Sequence, residues 1–421
     1  MKFLHFSDSH LGCWKDDLMN FYGLMTFENI LKNGIKEKVD FIIIAGDIFD
    51  NSYPKIDILK QSAKILKEVK ENNIPVYEIA GSHDYSPTDK TILKVFESAG
   101  LMINVFKANH TENNQIHLDF IEDRSGAKIA GIIGRVRGTD LSIYEYLDRE
   151  NLEEEKGFKI FVFHNAITEE KDDELSFYDS ISKSFLPQNF NYYAGGHIHN
   201  VLPSNLKDQK NINATSPIVY PGCIFPTNFA ELESGDFGGY CIVKNTEGSW
   251  INIEWKNEKV IDVLPLIINV NNKTVKDISD LIEEKINIDM NQKIVTLRIE
   301  GEMKTGNPSD INFRDIEKKI YDKGAIRFFR NTRKLISKQS LITKSLIGSS
   351  REEIENKIIK DNIDKVKVSK WNKDKEEEIL KNILSKCGYR RGDSKVKDFN
   401  DDKIKLLLNI LGINDIWEKY E

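Results

Sequence analysis

The chain has 421 residues, with 60 Lys and Arg against 67 Asp and Glu and a formal net charge of −7 at pH 7. That length exceeds one compact core and predicts two or three domains, and the acidic balance excludes a uniformly basic nucleic-acid binder while leaving local basic patches open. Cys13, Cys223, Cys241 and Cys387 form no C-x-x-C pair, so neither a structural zinc site nor a disulfide framework is expected; without a basic leader or an apolar run of about eighteen residues, the expectation is a soluble cytoplasmic protein with no membrane span.

The first hundred residues alternate strand and helix. Phe3 to Phe6 and Phe41 to Ala45 are short apolar runs of the buried-strand type, Leu18 to Lys36 carries the helical period, and Pro75 to Ala80 is a third strand. This alternation predicts a parallel sheet covered by helices, with functional residues at the carboxyl ends of the strands. Each strand does end on a polar motif: Asp8-Ser-His10, then Gly46-Asp47 with Asp50, then Gly81-Ser82-His83-Asp84. The loop Tyr85 to Lys90 opens a helix to about Ala99, stopped by Gly100, with Ser86 and Thr88 as expected caps. Ile116 to Phe120 and Lys128 to Ile133 read as paired strands crossing to a second sheet through a turn at Ser125-Gly126. Arg135 and Arg137 follow, placed either to clamp a phosphate or to pair with an acid. Tyr144 to Lys156 reads as one acidic helix with a solvated face. Lys159 to Phe163 and Tyr192 to Ala194 are buried strands delivering His164-Asn165 and Gly195-Gly-His197-Ile-His199, and Ile218 to Tyr220 and Gly239 to Val243 close the sheet.

Five of the eight histidines lie in these motifs. Hydrolysing a phosphodiester takes a hydroxide near neutral pH, in-line aim at the leaving oxygen, and neutralisation of the equatorial oxygens. Two divalent cations about 4 Å apart meet all three needs. Holding them that close takes a bridging carboxylate between separate carboxylate and imidazole sets, and a mixed oxygen and nitrogen set suits Mn, Fe or Zn better than Mg or Ca. His197 and His199, two apart in an extended segment, point the same way. His5, inside the first strand, is expected to be buried and paired with backbone; His110 and His117 lie in a polar stretch and are expected to be exposed.

The order Asp-x-His, Gly-Asp, Gly-x-His-Asp, His, Gly-His-x-His resembles the calcineurin-like metallophosphoesterases. The resemblance implies an α/β fold, a two-sheet sandwich flanked by helices, over residues 1–255. It also implies that Asp8, His10 and His199 hold one metal, His164 and His197 the other, and that Asp47 bridges them. His83 is then the catalytic proton donor or phosphate stabiliser, its ring oriented by Asp84, while Ser7, Ser9, Asp50 and Asn165 support the ligands at most. The superfamily usually places Asn, a ligand of the second metal, between the Gly and His of the third motif. Here Ser82 stands there, shorter and a weaker neutral donor, so the second metal is expected to be looser or bridged to Ser82 through water. More narrowly, Met1 to Gly12, Ala45 to Asp50 and Tyr220-Pro-Gly222 resemble the SbcD-type nuclease subunits of the double-strand-break repair complex. That implies an Mn-dependent 3′–5′ exonuclease and single-strand or hairpin endonuclease, a homodimer processing DNA ends with a coiled-coil ATPase of the SbcC type.

Beyond Trp255, Asp262 to Val270, Lys293 to Glu300 and Ala325 to Phe329 read as strands around helices Val275 to Lys285 and Asn312 to Lys323. They predict a small α+β capping domain over 256–332 that would hold DNA over the metals, with Val295, Leu297 and Ile299 sharing one face. From Arg314 to Lys344 there are ten Lys and Arg against three acids, a local +7. Arg327, Arg330, Arg333 and Lys334 are the expected contacts to DNA phosphates, and Phe328-Phe329 is expected in the core. Residues 333–421 read as a helical, partner-binding region. Ser350 to Glu353 has capping-box spacing, and Ile379, Leu380, Ile383 and Leu384 form one apolar stripe, with Ile404, Leu407, Leu408 and Leu411 forming another. Such stripes must bury themselves, either within the chain or, on the resemblance, against the ATPase's coiled coil. No Walker motif is present, so nucleotide hydrolysis would fall to that partner.

Two other classes fit the motifs. One is a metallophosphodiesterase for a small nucleotide, against which the basic cap and helical tail argue. The other is a DNA-end tethering subunit whose site is weakened by Ser82.

Overall fold

The computed structural model describes residues 1–84, 91–110, 115–134, 141–171, 179–245, 250–337, 356, 359, 373–387 and 406–411. Two sheets position everything that follows. The seven-stranded sheet runs β13 (Asn211–Ala214), β16 (Ile251–Asn257), β15 (Gly239–Asn245), β1 (Lys2–Phe6), β2 (Phe41–Ala45), β3 (Val76–Ile79), β4 (Ile103–Asn104). The five-stranded sheet runs β14 (Ile218–Val219), β12 (Tyr192–Gly195), β9 (Phe158–Phe163), β8 (Ala127–Ile132), β7 (Ile121–Glu122). Strands β1 to β4 are parallel, as are β8, β9, β12 and β14. Two short pairs stand apart, β5 (Ala108–His110) with β6 (Ile116–Leu118) and β10 (Ala166–Ile167) with β11 (Ser180–Ile181).

The alternation of side chains along each strand sets the layers. Leu4, Phe6, Ile42 and Ile44 turn toward α1 (Asp17–Lys36), α2 (Ile56–Glu71) and α3 (Ile92–Ser98), packing with Phe27, Ile30, Leu66 and Phe96. Phe3, Phe41, Ile43 and Tyr77 turn the other way and meet Ile129, Ile160, Val162 and Tyr192 of the second sheet. Phe161, Phe163 and Tyr193 face outward again, beneath Ile143, Tyr144 and Leu152 of α4 (Leu141–Glu145) and α5 (Glu150–Glu154). This is the expected two-sheet α/β architecture flanked by helices. Helix α6 (Asn205–Gln209) and α7 (Phe229–Ser234) complete this part. No helix among the described residues is long and apolar enough to cross a membrane.

Several local expectations are corrected. β8 pairs with β7 across the turn at Ser125-Gly126, where Gly126 has φ +83°, and not with β6, whose partner is β5. The acidic helix is two short helices. Ile116 captures the chain between them, donating to the Tyr146 carbonyl at 2.7 Å and accepting from the Asp148 N–H at 2.9 Å, so Leu147 is buried in an extended link. β14 and β15 belong to different sheets. His5 is buried as expected, and beside the Gly195 backbone it meets a side chain as well, its Nδ1 lying 2.9 Å from the Tyr192 hydroxyl. His117 is half-buried, 3.0 Å from the Asp148 carboxylate. Ser86, Thr88, Arg135, Arg137 and Ser350 to Glu353 lie outside the described residues.

The third sheet is parallel, β17 (Asp262–Asn269), β18 (Lys293–Met303) and β19 (Arg327–Asn331), with β20 (Leu335–Ser337) paired to the end of β18. Its helices are α8 (Val275–Lys285) and α9 (Phe313–Asp322). β18 is buried on both faces: Val295, Leu297 and Ile299 on the expected one, Ile294 and Thr296 on the other. Ile294, with Val263, Ile326 and Phe329, joins the core that holds Phe225, Leu232 and Phe237. Contacts divide the chain into two compact units. One comprises Met1–Asn269, Ile278–Glu300 and Asn312–Lys334, so the strands β17 and β19 and most of β18 cluster with the two large sheets; the other comprises Val270–Asp277, Gly301–Ile311 and Leu335–Glu421. In the second unit α10 (Lys373–Cys387) buries Ile379, and 406–411 is helical.

A buried acid in β3 yields a stability prediction. Glu78 is fully buried, accepts from Asn104 Nδ2 at 2.9 Å, and its second oxygen has no hydrogen-bond partner among the described residues. Burial, with Asp84 and Glu97 adding to it, pushes its carboxyl up to about 8. Between the ordinary carboxylate range and pH 8 the folded chain therefore keeps a proton that the unfolded chain has lost, and stability falls as pH rises, by roughly 3 kcal/mol at pH 7. Glu78→Gln is expected to melt close to wild type at pH 4.5 and well above it at pH 8; equal melting temperatures at both would show that Glu78 ionises in place.

Candidate metal centre

Strands β1, β2, β3, β9 and β12 end at one edge of the sandwich, and the segments leaving them carry Asp8 and His10, Asp47, Ser82 to Asp84, His164, and His197 and His199. Asp8, His10, Asp47 and His197 have φ of 54°, 39°, 50° and 86°. L-residues enter that region at a cost, so the surroundings must hold these four in place, as happens at functional sites. The Asp8 N–H donates to the Gly46 carbonyl at 3.1 Å, the His10 N–H to the Asp47 carbonyl at 3.0 Å, and the Cys223 N–H to the His199 carbonyl at 3.1 Å. The His197 N–H reaches both Asp8 carboxylate oxygens at 3.1 Å. Two glycines make the packing possible: Gly46 has φ +88° and a Cβ there would collide with the His164 imidazole, while a Cβ on Gly81 would collide with the Asp47 carboxylate.

The motifs converge. His164 Nε2 lies 3.1 Å from Asp47 Oδ2 and 4.0 Å from Asp8 Oδ1. His10 Nε2 lies 3.6 Å from Asp47 Oδ2, and His199 Nε2 3.9 Å from Asp8 Oδ1. The Nε2 atoms of His10 and His199 are 3.2 Å apart. The His197 and His164 rings are 5.3 Å apart between centroids, and the Ser82 hydroxyl donates to Asp47 Oδ2 at 3.3 Å. Among the described residues four sets of donor atoms each lie close enough to share one cation: Asp8 with His10 and His199, Asp8 with Asp47 and His164, His10 with Asp50 and His83, and His199 with Cys223 and Glu231; the first two hold the expected ligands. Asp8 is common to both, while Asp47 touches an imidazole of each.

The outward nitrogens fix the tautomers. His164 Nδ1 donates to the Ala45 carbonyl at 2.8 Å and His199 Nδ1 to Glu231 Oε1 at 2.9 Å, while His10 Nδ1 faces Asp50 Oδ1 at 3.6 Å. With each δ nitrogen turned to an acceptor, the Nε2 lone pairs of His164 and His199 are left for the site, as a ligating imidazole requires. The electrostatics agree. Burial alone would lower the imidazoles, but Asp50, Asp47 and Asp8 raise His10 to about 9, and Asp47 and Asp8 raise His164 to about 10. Burial would raise Asp47, yet His164, His10 and His83 hold it well below the usual carboxylate range. A buried cluster that draws positive charge this strongly, with oxygen and imidazole donors converging, fits two divalent cations.

His83 has a different setting. Its N–H donates to Asp47 Oδ1 at 2.7 Å and its Nδ1 to the Asp50 carbonyl at 2.8 Å, and its ring stands edge-on to His10. The side chain is 48% exposed, above the buried Asp47 and His10. Asp84 does not orient that ring. Its carboxylate accepts from the N–H groups of Ile48, Phe49 and Gly81 at 3.0, 3.0 and 3.2 Å, and so shapes the loop carrying Asp47. Asp50 and Glu231 each meet an imidazole of the site, Asp50 at His10 and His83 and Glu231 at His199. The Tyr144 hydroxyl donates to Asn165 Oδ1 and the Tyr220 hydroxyl to its carbonyl. Glu231 had one signal: Asn228-x-x-Glu231 has capping-box spacing.

The basic residues separate into bound and available. Arg327 is ion-paired with Asp16 at 2.9 Å; Arg330, Arg333 and Lys334 are exposed, the Arg330 guanidinium lying 3.9 Å over the Phe313 ring.

Comparison with known proteins places this geometry. Residues 1–201 match the calcineurin-like phosphoesterase family. The chain is similar to proteins named DNA double-strand break repair protein Mre11. The relative from Archaeoglobus fulgidus is 26% identical over 283 residues, 60% of this chain and 59% of that protein. The one from Methanopyrus kandleri is 25% identical, covering 62% and 59%, and the one from Sulfolobus acidocaldarius 29% identical, covering 72% and 75%. The match thus spans about six-tenths of the length of the first two.

Proposed function

We propose, from the calcineurin-like phosphoesterase domain that residues 1–201 form, that this chain is a two-metal DNA nuclease that trims DNA ends in double-strand-break repair. The observation that carries the reading is the convergence of His10, His199 and His164 Nε2 on the Asp8 and Asp47 carboxylates beneath the half-exposed His83. When bound, two divalent cations, of the Mn, Fe or Zn class by the donor set and Mn2+ on the resemblance, supply an activated water and neutralise the phosphate. Asp8, His10 and His199 would hold one, His164 and His197 the other, with Asp47 between them and Ser82 as a weak neutral donor. His83 is placed to move a proton at, or bind, the scissile phosphate. Residues 256–332 would cap the site, with Arg327 and Arg330 in them and Arg333 and Lys334 just beyond them facing the DNA backbone, while the rest of 333–421 would dock on a coiled-coil ATPase of the SbcC type. Support for the DNA substrate comes from the similarity to Mre11 proteins.

The test is Mn2+-dependent degradation of an end-labelled duplex, with and without that ATPase. His83→Ala is expected to lose about 10²-fold or more in rate, and Ser82→Asn to match or exceed wild type. A wild-type chain inert with every divalent metal and with the partner would contradict the nuclease reading and favour an end-tethering subunit.

A further inference from the structure

We propose that Glu231 is a positioning residue for the His10 and His199 half of the metal centre, and that Arg298 of β18 sets its position through α7. The proposal rests on the two-metal reading above. Both Glu231 oxygens are fully engaged. Oε1 accepts from His199 Nδ1 at 2.9 Å and from Asn228 Nδ2 at 2.7 Å, and Oε2 accepts from the Thr227 N–H at 2.7 Å and its hydroxyl at 3.0 Å. A carboxylate held by three donors besides the ring cannot follow the ring; the ring must follow it, which fixes His199 Nε2 opposite His10 Nε2. The anchor is itself anchored, since Asn228 Oδ1 caps α7 by accepting from the N–H groups of Ala230 and Glu231.

Two residues along the same six-residue helix, Glu233 grips Arg298. Arg298 Nε donates to both carboxylate oxygens at 3.0 and 2.7 Å and Nη2 to Oε2 at 2.6 Å, with the side chains only 18% and 11% exposed. The Arg298 guanidinium also lies 5.5 Å over the Phe229 ring. So α7 ties a metal-ligand support at one point to the small sheet at another. The segment after His10 carries a second tie to that sheet. Arg327 of β19 pairs with Asp16 at 2.9 Å, the Phe329 ring lies tilted against Trp14 with centroids 5.3 Å apart, and the Trp14 indole donates to the Pro226 carbonyl at 2.7 Å. His164, by contrast, is tied to Ala45 in β2. A shift of β18 and β19 is thus felt at one metal position and not at the other, which gives a macromolecule lying on the small sheet a route to the occupancy of that position.

Isothermal titration of the full chain with Mn2+ tests this. Wild type is expected to show two binding steps. Glu231→Gln is expected to weaken one step 10- to 100-fold and leave the other unchanged. Arg298→Met should weaken the same step by a smaller factor and add nothing when combined with Glu231→Gln. Melting of the metal-free variants identifies any that fail to fold, and Arg298→Met then carries the test alone. Two wild-type affinities in Glu231→Gln, or equal weakening of both steps, would overturn the positioning role; an Arg298→Met titration identical to wild type would overturn the coupling. A wild-type chain that binds fewer than two Mn2+ would instead remove the two-metal reading itself.

Discussion

Replacing Asp47 with Asn is expected to lower hydrolysis of a duplex end by about 10³-fold or more and to remove at least one Mn2+ from the titration. Asp47 is 2% exposed and faces His164 Nε2 at 3.1 Å, His10 Nε2 at 3.6 Å and the Ser82 hydroxyl at 3.3 Å. Asn keeps the shape but removes the negative charge that draws the imidazoles and a cation together, and two-cation stabilisation of a phosphoryl transfer is worth several kcal/mol, each 1.36 kcal/mol being tenfold in rate. The measurement is turnover beside Mn2+ stoichiometry. Activity within tenfold of wild type would mean that the catalytic centre lies elsewhere.

The second large effect is on the fold around the site. Asp84→Ala leaves the buried N–H groups of Ile48, Phe49 and Gly81 without their acceptor, and each such loss costs about 1–3 kcal/mol. A destabilisation of about 4 kcal/mol is expected, a fall of roughly 10 °C in melting temperature. Asp84→Asn, retaining one acceptor oxygen, should fall between. Because Ile48 adjoins Asp47, Mn2+ affinity should drop in both variants. A change below 2 °C in Asp84→Ala would show that the loop is held by other contacts.

These two residues also mark what can be read from the chain without coordinates. The ligand motifs were legible because each follows a short apolar run, and a parallel sheet brings such strand ends together. The parallel sheet was legible for the same reason, while the two-sheet sandwich followed from the resemblance those motifs carry. The role of Asp84 was not, since adjacency to His83 suggested a ring partner while its real partners lie 35 and 36 residues back in the chain. Glu231 was missed because its tie to His199 spans 32 residues and sits on a helix of six. The acidic helix failed where a tertiary contact, Ile116 pairing at Leu147, outweighed local periodicity. In β18, one-faced alternation hid a second buried face because Thr296 and Arg298 are polar in sequence yet packed in the fold.

The most direct test of the metal centre is anomalous diffraction at the manganese edge from crystals grown with Mn2+. Two peaks are expected, one contacting Asp8, His10 and His199 and one contacting His164 and His197, with Asp47 touching both. A single peak, or peaks away from these side chains, would contradict the two-metal account.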